Sequence, residues 1–205
     1  LGWSERRTTK AAQKLPDDYE KILEEVFFRQ AHVIRDYAVP AALRVNTDQT
    51  QIVYQQGTGS TWTQRGAKQV AGVGQEEKRA FTLVPSISAS GRILSTQAVF
   101  SGKKMASCPS VKAGRYDEAV ELGYAMLPSG TSTYWSNHET MHLLVDDIIA
   151  PYFEATKVEL GLPKSQVSIW LIDCWSVHRS KEFLAWMKKH HSNIMVLFVP
   201  GGCTG

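Results

Sequence analysis

Apolar and polar positions along the chain repeat with two different periods, and each change of period marks a new element. Ile22, Leu23, Val26, Phe27 and Ile34 recur at helical spacing up to about Tyr37, which predicts an amphipathic helix. Pro16 and Asp17 suit its opening, because proline lacks the N–H that the first turn leaves unpaired and an acid suits the positive end. Pro40 stops it. Leu43, Val45 and Thr47 then alternate with Arg44, Asn46 and Asp48, the period of a strand ending near Asp48. Residues 51–55 can pair back as a short second strand. Residues 56–74, rich in glycine, threonine and glutamine, read as a long loop or ribbon.

A strand is predicted over 80–88, with Pro85 marking an edge or a bulge. Ser90-Gly91 is a turn, and 93–100 completes a hairpin. Residues 101–135 carry glycine, serine and proline with little periodicity and are expected to be irregular. The series Ser136-Asn137-His138-Glu139 matches a capping box and opens a helix to about Phe153, with Met141, Leu144, Val145 and Ile148 on its apolar face. Residues 167–172 run apolar or small straight into Asp173, the pattern of a strand buried on both faces, as in a parallel sheet. A helix over 180–190 follows (Phe183, Leu184, Met187), then a strand over 194–199 that Pro200-Gly201-Gly202 ends. Antiparallel strands first and alternating strands and helices later predict an α/β mixed sheet flanked by helices. That order is RNase H-like, without the helix that would follow the last strand. The expected division is a basic linker and amphipathic helix over 1–38 and an incomplete RNase H-like core over 39–205.

Composition narrows the picture further. A chain of 205 residues, 43% hydrophobic and 21% charged, suits one domain with a real core. Its apolar runs reach only six or seven residues, too short to span a membrane, and the first ten residues lack the apolar centre of a signal peptide. Three cysteines argue for a reducing compartment and against a disulfide framework. Cys174 and His178 are four apart without a second ligand pair, which argues against zinc. The net charge of +3 sits in residues 1–15, where Arg6, Arg7, Lys10 and Lys14 face Glu5 alone. Such a leader either touches nucleic-acid phosphates or is a solvated linker, and the second is the simpler reading.

Candidate chemistry lies at strand ends. A carboxylate at the carboxyl end of a buried strand sits where open α/β sheets place their sites, although Asp173 taken alone reads equally well as the start of a turn. In an RNase H-like sheet the strands ending at Asp48 and Asp173 are neighbours, so both carboxylates would converge. Paired carboxylates can hold two divalent ions about 3.5–4 Å apart. Oxygen ligands suit Mg²⁺ or Mn²⁺. His178 either approaches a phosphate or satisfies a local carbonyl, and the structural role is preferred, because the metal-assisted mechanism needs no histidine base. His190-His191 suit the negative end of a helix. Arg65, Lys68, Lys78 and Arg79 surround loops within reach of a DNA backbone, yet each alone reads as solvated surface. Trp62, Trp135, Trp170, Trp175 and Trp186 are core candidates, with Trp62 and Trp175 placed in loops where they could stack on a base.

Six segments in order carry a family resemblance: N-T-D-Q-T-Q (46–51), R-G-A-K-Q-V (65–70), E-K-R-A-F-T (77–82), T-Y-W-S-N-H-E-T (133–140), L-I-D-C-W-S-V-H (171–178) and V-P-G-G-C-T-G (199–205). Together they resemble the DDE superfamily endonuclease domain, the catalytic domain of pogo/Tigger-like transposases and of their centromere-protein-B-like relatives. The resemblance covers nearly the whole chain. It implies an RNase H-like fold, metal-dependent DNA cleavage and strand transfer, DNA as partner, and a nuclear location. Asp48 matches the first catalytic aspartate and Asp173 the second.

Two departures shape the expectations. The family's third acidic residue lies shortly after the segment matching G-G-C-T-G, and its N-terminal helix-turn-helix would precede residues 1–15. Glu139, Asp146 and Asp147 are poor substitutes, the first being a capping residue and the others mid-helix. The reading is therefore a transposase-derived DNA-processing domain whose cleavage is impaired. Its alternatives are a domesticated, non-catalytic nucleic-acid-binding or protein-interaction domain and, more weakly, an RNA-directed nuclease of the same fold. Without a final helix, the sheet beside 194–199 is expected to recruit a second copy or another chain.

Overall fold

A computed structural model describes residues 3–7, 18–54, 60–68 and 79–201. Strand β1 (Trp3–Arg7) lies inside the expected linker, yet it pairs antiparallel with the later segment Ser60–Gln64. Helix α1 (Tyr19–Asp36) follows; Pro16 and Asp17 lie outside the described residues. Its end is built by backbone geometry. Ala38 adopts φ +48°, its N–H reaches the Arg35 carbonyl (3.3 Å), and the Val39 N–H reaches that of Ile34 (3.0 Å). This double closure normally favours glycine at the left-handed position. Of the helix's side chains only Val33 is fully buried, and Phe27 is 65% exposed.

A short 3₁₀ turn (Ala41–Leu43) leads into β2 (Arg44–Thr47), and β3 (Thr50–Val53) comes two residues later. β3 does not fold back on β2 as expected. Both pair antiparallel with one further segment, β3 with β5 (Ala80–Val84) and β2 with β6 (Ser86–Ser88). Between them in sequence lies β4 (Ser60–Gln64), the partner of β1. The pairing offset is the same on both sides of the break: Thr47 faces Ser86 and Thr50 faces Leu83, and the Asp48 N–H donates to the Pro85 carbonyl between them (3.2 Å). The two four-stranded sheets are therefore halves of one register, interrupted where a proline cannot donate.

β7 (Thr96–Phe100) pairs antiparallel with β5. Val84 faces Gln97 while Ile87 faces Ile93, so one strand advances three residues while the other advances four. That is the bulge predicted at Pro85. Residues 101–135 hold more structure than their composition predicts, including α2 (Tyr116–Glu121) and a strand, β8 (Tyr124–Pro128), parallel to β7.

Helix α3 (His138–Leu144) is capped one residue later than expected. The Asn137 side chain accepts from the Thr140 N–H (3.1 Å), and the Thr140 hydroxyl accepts from the Asn137 N–H (2.8 Å). A π turn (Val145–Ile149) joins α3 to α4 (Ala150–Glu159). Pro151 has no N–H for the Asp147 carbonyl, and the wider turn places that defect where the hydrogen-bond register already changes. β9 (Ser168–Asp173), α5 (Lys181–His190) and β10 (Ile194–Val199) complete the chain much as predicted. Adjacent residues Ile169 and Trp170 are both buried, so β9 is covered on both faces.

The central order is β10-β9-β2-β6, with β10, β9 and β2 parallel, continued through the break as β3-β5-β7-β8. An antiparallel meander extended on one side by parallel strands with helical crossovers is the RNase H-like arrangement. Trp170 and Ile172 of β9 share one core with Met141, Leu144, Ile149 and Phe153 of the α3–α4 segment and Phe183 and Met187 of α5. Among the described residues, no helix is long and apolar enough to cross a membrane.

Candidate metal and nucleic-acid site

β2 and β9 run parallel with Arg44 beside Ile169, Val45 beside Trp170 and Asn46 beside Leu171. The same register carried two residues further, one residue beyond the end of β2, would set Asp48 beside Asp173, and paired strands lie about 4.8 Å apart. Side chains alternate along β2, with Val45 and Thr47 buried and Asn46 and Asp48 exposed. Asn46 and Leu171 share the sheet face that Gln30 and Ile34 of α1 approach, whereas at the strand end the Asp173 carboxylate turns to His178. One strand pairing thus brings segments 125 positions apart together just before the two aspartates.

A buried network holds that pairing just behind the carboxylates. The Trp170 indole N–H donates to the Thr47 hydroxyl (2.8 Å), which is bonded to the Ser86 hydroxyl (2.7 Å). Trp170, Thr47 and Ser86 are at most 4% exposed. One tryptophan therefore links β9 to β2, and one threonine links β2 to β6. A slip by one residue would orphan both buried bonds, so the network opposes slippage where the site needs its register.

Asp48 Oδ1 accepts from the Gln49 backbone N–H (2.8 Å). Asp173 Oδ1 faces His178 Nδ1 at 2.7 Å, and the same nitrogen lies 3.1 Å from the Asp173 carbonyl oxygen. His178 Nε2 is 3.3 Å from Gln49 Nε2. The imidazole is 2% exposed, packed edge-on against Trp175 (5.4 Å between centroids) and tilted against Phe183 (6.4 Å). A ring so enclosed, with both nitrogens near local partners, has little to offer a phosphate, so of the two roles weighed for His178 the geometry favours the local one.

The other expected contacts are scattered. Arg65 and Lys68 are exposed just after β4. Arg79 precedes β5, where its carbonyl accepts from the Tyr54 N–H (3.1 Å). Lys78 lies outside the described residues. Trp62 is 70% exposed on β4, and Trp135 is also exposed, against the expectation of a core position, with its ring beside Tyr134 (5.2 Å). Trp175 is half-buried against His178. After β10 the chain passes close to the site, since a Cβ at Gly201 would sit 3.0 Å from Cys174 Sγ. That spacing suits glycine.

Two features are absent from the sequence reading. Gln49, directly after Asp48, reaches across to His178, and its only signal in the sequence is that adjacency. His138-Glu139-Thr140-Met141-His142 has the H-E-x-x-H spacing of zinc-binding helices, and it lies on α3. The His142 ring, however, stacks on Trp186 (3.9 Å, 20° between planes) and lies near Phe183 (5.9 Å). His138 Nδ1 and His142 Nε2 are buried without a hydrogen-bond partner. Burial, reinforced by His138 and His190, pushes the His142 imidazole below the ordinary histidine range, while Asp146 and Glu182 act in the opposite sense. This is a packing cluster.

Asp48 and Asp173 fit a hard divalent cation. Both present carboxylate oxygens, and among the described residues neither is paired with a lysine or arginine. Among those residues no group of three or more histidine, cysteine, aspartate or glutamate side chains is placed to hold a metal. Two carboxylates suffice for Mg²⁺, which keeps several waters and takes further oxygens from substrate phosphate.

No protein-family model and no curated protein matches the sequence. Among solved structures, the chain is similar to a chain of a pre-cleavage Mos1 transpososome, with 11% identity and a TM-score of 0.49 over 96% of this chain and 48% of that one. It is similar in the same way to a Mos1 transposase paired-end complex with left transposon end, at 12% identity and a TM-score of 0.48, again covering 96% and 48%. The chain thus spans about half the length of these solved chains.

Proposed function

We propose that this chain is a transposase-derived, DNA-processing domain of the DDE type, whose Asp48 and Asp173 together bind a divalent metal ion. The observation that supports this most is the parallel register of β2 and β9 up to Asn46 and Leu171, which, if it continues for two more residues, would bring the two aspartates to one strand end. The ordered motifs of the sequence favour a pogo/Tigger-like or centromere-protein-B-like origin. When bound, Mg²⁺ or Mn²⁺ would activate a water or hydroxyl toward a phosphodiester and stabilise the leaving oxygen.

The chain's own residues supply position. Asp48 and Asp173 would hold the ion at the strand ends, and the Trp170–Thr47–Ser86 network would support the register that leads to them. The exposed cations Arg65 and Lys68 would add phosphate contacts whose strength falls with salt. With no third carboxylate beside the pair among the described residues, binding is expected to be weak, and strand cleavage by this 205-residue chain slight.

Calorimetric titration with Mn²⁺, paired with a plasmid-nicking assay, tests the reading. Saturable binding that both Asp48→Asn and Asp173→Asn abolish, with little nicking, is the expected result. Vigorous aspartate-dependent nicking would overturn the impairment. DNA binding with no aspartate-dependent Mn²⁺ site would instead favour a non-catalytic nucleic-acid-binding domain.

A further inference from the structure

We propose that His178 is a positioning residue for the metal site: it orients the Asp173 carboxylate and, through Gln49, ties it to the strand end that carries Asp48. The inference rests on the metal-binding reading above and concerns a histidine that the two-carboxylate mechanism leaves without a task.

The hydrogen inventory of the ring supports the assignment. Nδ1 lies 2.7 Å from Asp173 Oδ1 and 3.1 Å from the Asp173 carbonyl, two acceptors. The proton therefore belongs on Nδ1, an assignment made from the network. Nε2 is then a lone pair, and it faces the side-chain amide nitrogen of Gln49 at 3.3 Å, a donor. The same amide nitrogen lies 3.6 Å from Met141 Sδ, also an acceptor, which agrees with its orientation. Every polar atom of a ring that is 2% exposed is matched in one tautomer.

The connectivity then gives the bond network a purpose. Asp173 ends β9 and Gln49 follows Asp48 beyond β2, so a single imidazole bridges the two elements that carry the carboxylates. Trp175 and Phe183 enclose the ring and restrict its rotation. With Oδ1 held by Nδ1–H, the Asp173 carboxyl plane is fixed and Oδ2 is directed by geometry in place of free rotation about χ2. Outer partners of metal-ligating carboxylates act in this way, and losing one weakens metal binding about 10–100-fold.

The test is Mn²⁺ affinity by calorimetry on the full 205-residue chain, with thermal melts recorded in parallel. His178→Phe keeps an aromatic ring against Trp175 and Phe183 but removes both nitrogens. We expect it to weaken Mn²⁺ binding by about tenfold or more. His178→Asn retains an N–H donor near the δ position and should recover most of the loss, although it packs less well. Gln49→Leu removes the link to Asp48 and should weaken binding by a smaller factor while the fold stays intact.

A His178→Phe protein that melts cooperatively and binds Mn²⁺ as the parent does would overturn the inference. Equal losses in the Phe and Asn variants would overturn it too, because packing alone would then account for the residue. If His178→Phe does not fold, the Asn and Gln49→Leu variants decide the question, and parental affinity in Gln49→Leu contradicts the bridge. Failure of the underlying reading looks different: the parent chain itself would then show no Mn²⁺ binding that depends on Asp48 and Asp173.

Discussion

Two histidine environments in this molecule differ in every respect that matters for function. His178 follows a strand end in a short loop, is almost wholly enclosed, and has a matching partner on each ring nitrogen. His142 lies on α3 inside an H-E-x-x-H pattern, stacks on Trp186, and leaves Nε2 buried and unpartnered. Spacing along a helix brings two imidazoles near each other, but a site also needs a third ligand and open room. α5 fills that room with Phe183 and Trp186. The lone histidine, outside any pattern of paired metal ligands, is the one linked to Asp173 and Gln49.

The sharpest way to break this comparison is to disturb the register that serves only the first environment. Thr47→Val removes the acceptor of the Trp170 indole and the partner of Ser86 at nearly constant volume. A buried donor left unsatisfied costs about 1–3 kcal/mol. Denaturant unfolding should show a loss of that size, accompanied by weaker Mn²⁺ binding, since β2 and β9 lose their lock. Retained stability would mean that the network does not set the register.

His142→Phe should act in the opposite direction. It removes an orphaned polar atom from an aromatic stack, so stability should be unchanged or rise by up to about 1 kcal/mol. Mn²⁺ affinity should not move. pH provides a second reading of the same residue. Burial holds the folded-state His142 below its ordinary value of 6.5, so the unfolded chain takes up the proton first as pH falls. Its contribution is fully present above about pH 6.5 and is lost as pH falls from there through the folded-state value. The charged and titratable groups that act on it, His138, His190, Asp146 and Glu182, are unchanged in the variant. Thermal melts below pH 6.5 should therefore show a shallower fall for His142→Phe than for the parent. Parallel curves would remove His142 from the account.

The smallest effect serves as a control away from both histidines. Ala38 sits in the left-handed region at the end of α1, where glycine meets no Cβ penalty. Ala38→Gly should stabilise the chain by about 0.5–1 kcal/mol, net of the extra freedom that glycine gives the unfolded state. Neither the Mn²⁺ affinity nor the pH slope should follow.

These contrasts also show what the sequence could reveal. β9 and α5 are legible because their signals are local: an unbroken apolar run, and the helical stripe of Phe183, Leu184 and Met187. β8 was hidden because Gly123 and Pro128 bracket a segment with no clean alternation, and its pairing with β7 is a tertiary matter. β1 was hidden for the same reason, since W-S-E-R-R reads as solvated and only β4 makes it a strand. The sequence pattern points to a cap one residue early for α3, because Ser136 and Glu139 satisfy it as well as Asn137 and Thr140 do, and only geometry separates them.

At the site, Asp48 and Asp173 could be named from their strand-end positions and from the family resemblance. The pairing of β2 with β9 that precedes them spans 125 residues, which no local pattern encodes. The bridge through Gln49 and His178 lies one step further from the sequence. It becomes visible only once both strand ends are in place.

The most direct test of the central claim is a Mn²⁺ titration of the ¹⁵N-labelled chain followed by amide NMR, because a paramagnetic ion broadens the signals nearest to it. The account predicts that the amides of Asp48, Gln49, Asp173 and Cys174 broaden first and together at the lowest Mn²⁺ ratio, ahead of those of His138–His142 on α3, and that Asp48→Asn and Asp173→Asn abolish this early broadening. Broadening that begins on α3, or that reaches only one of the two strand ends, would contradict it.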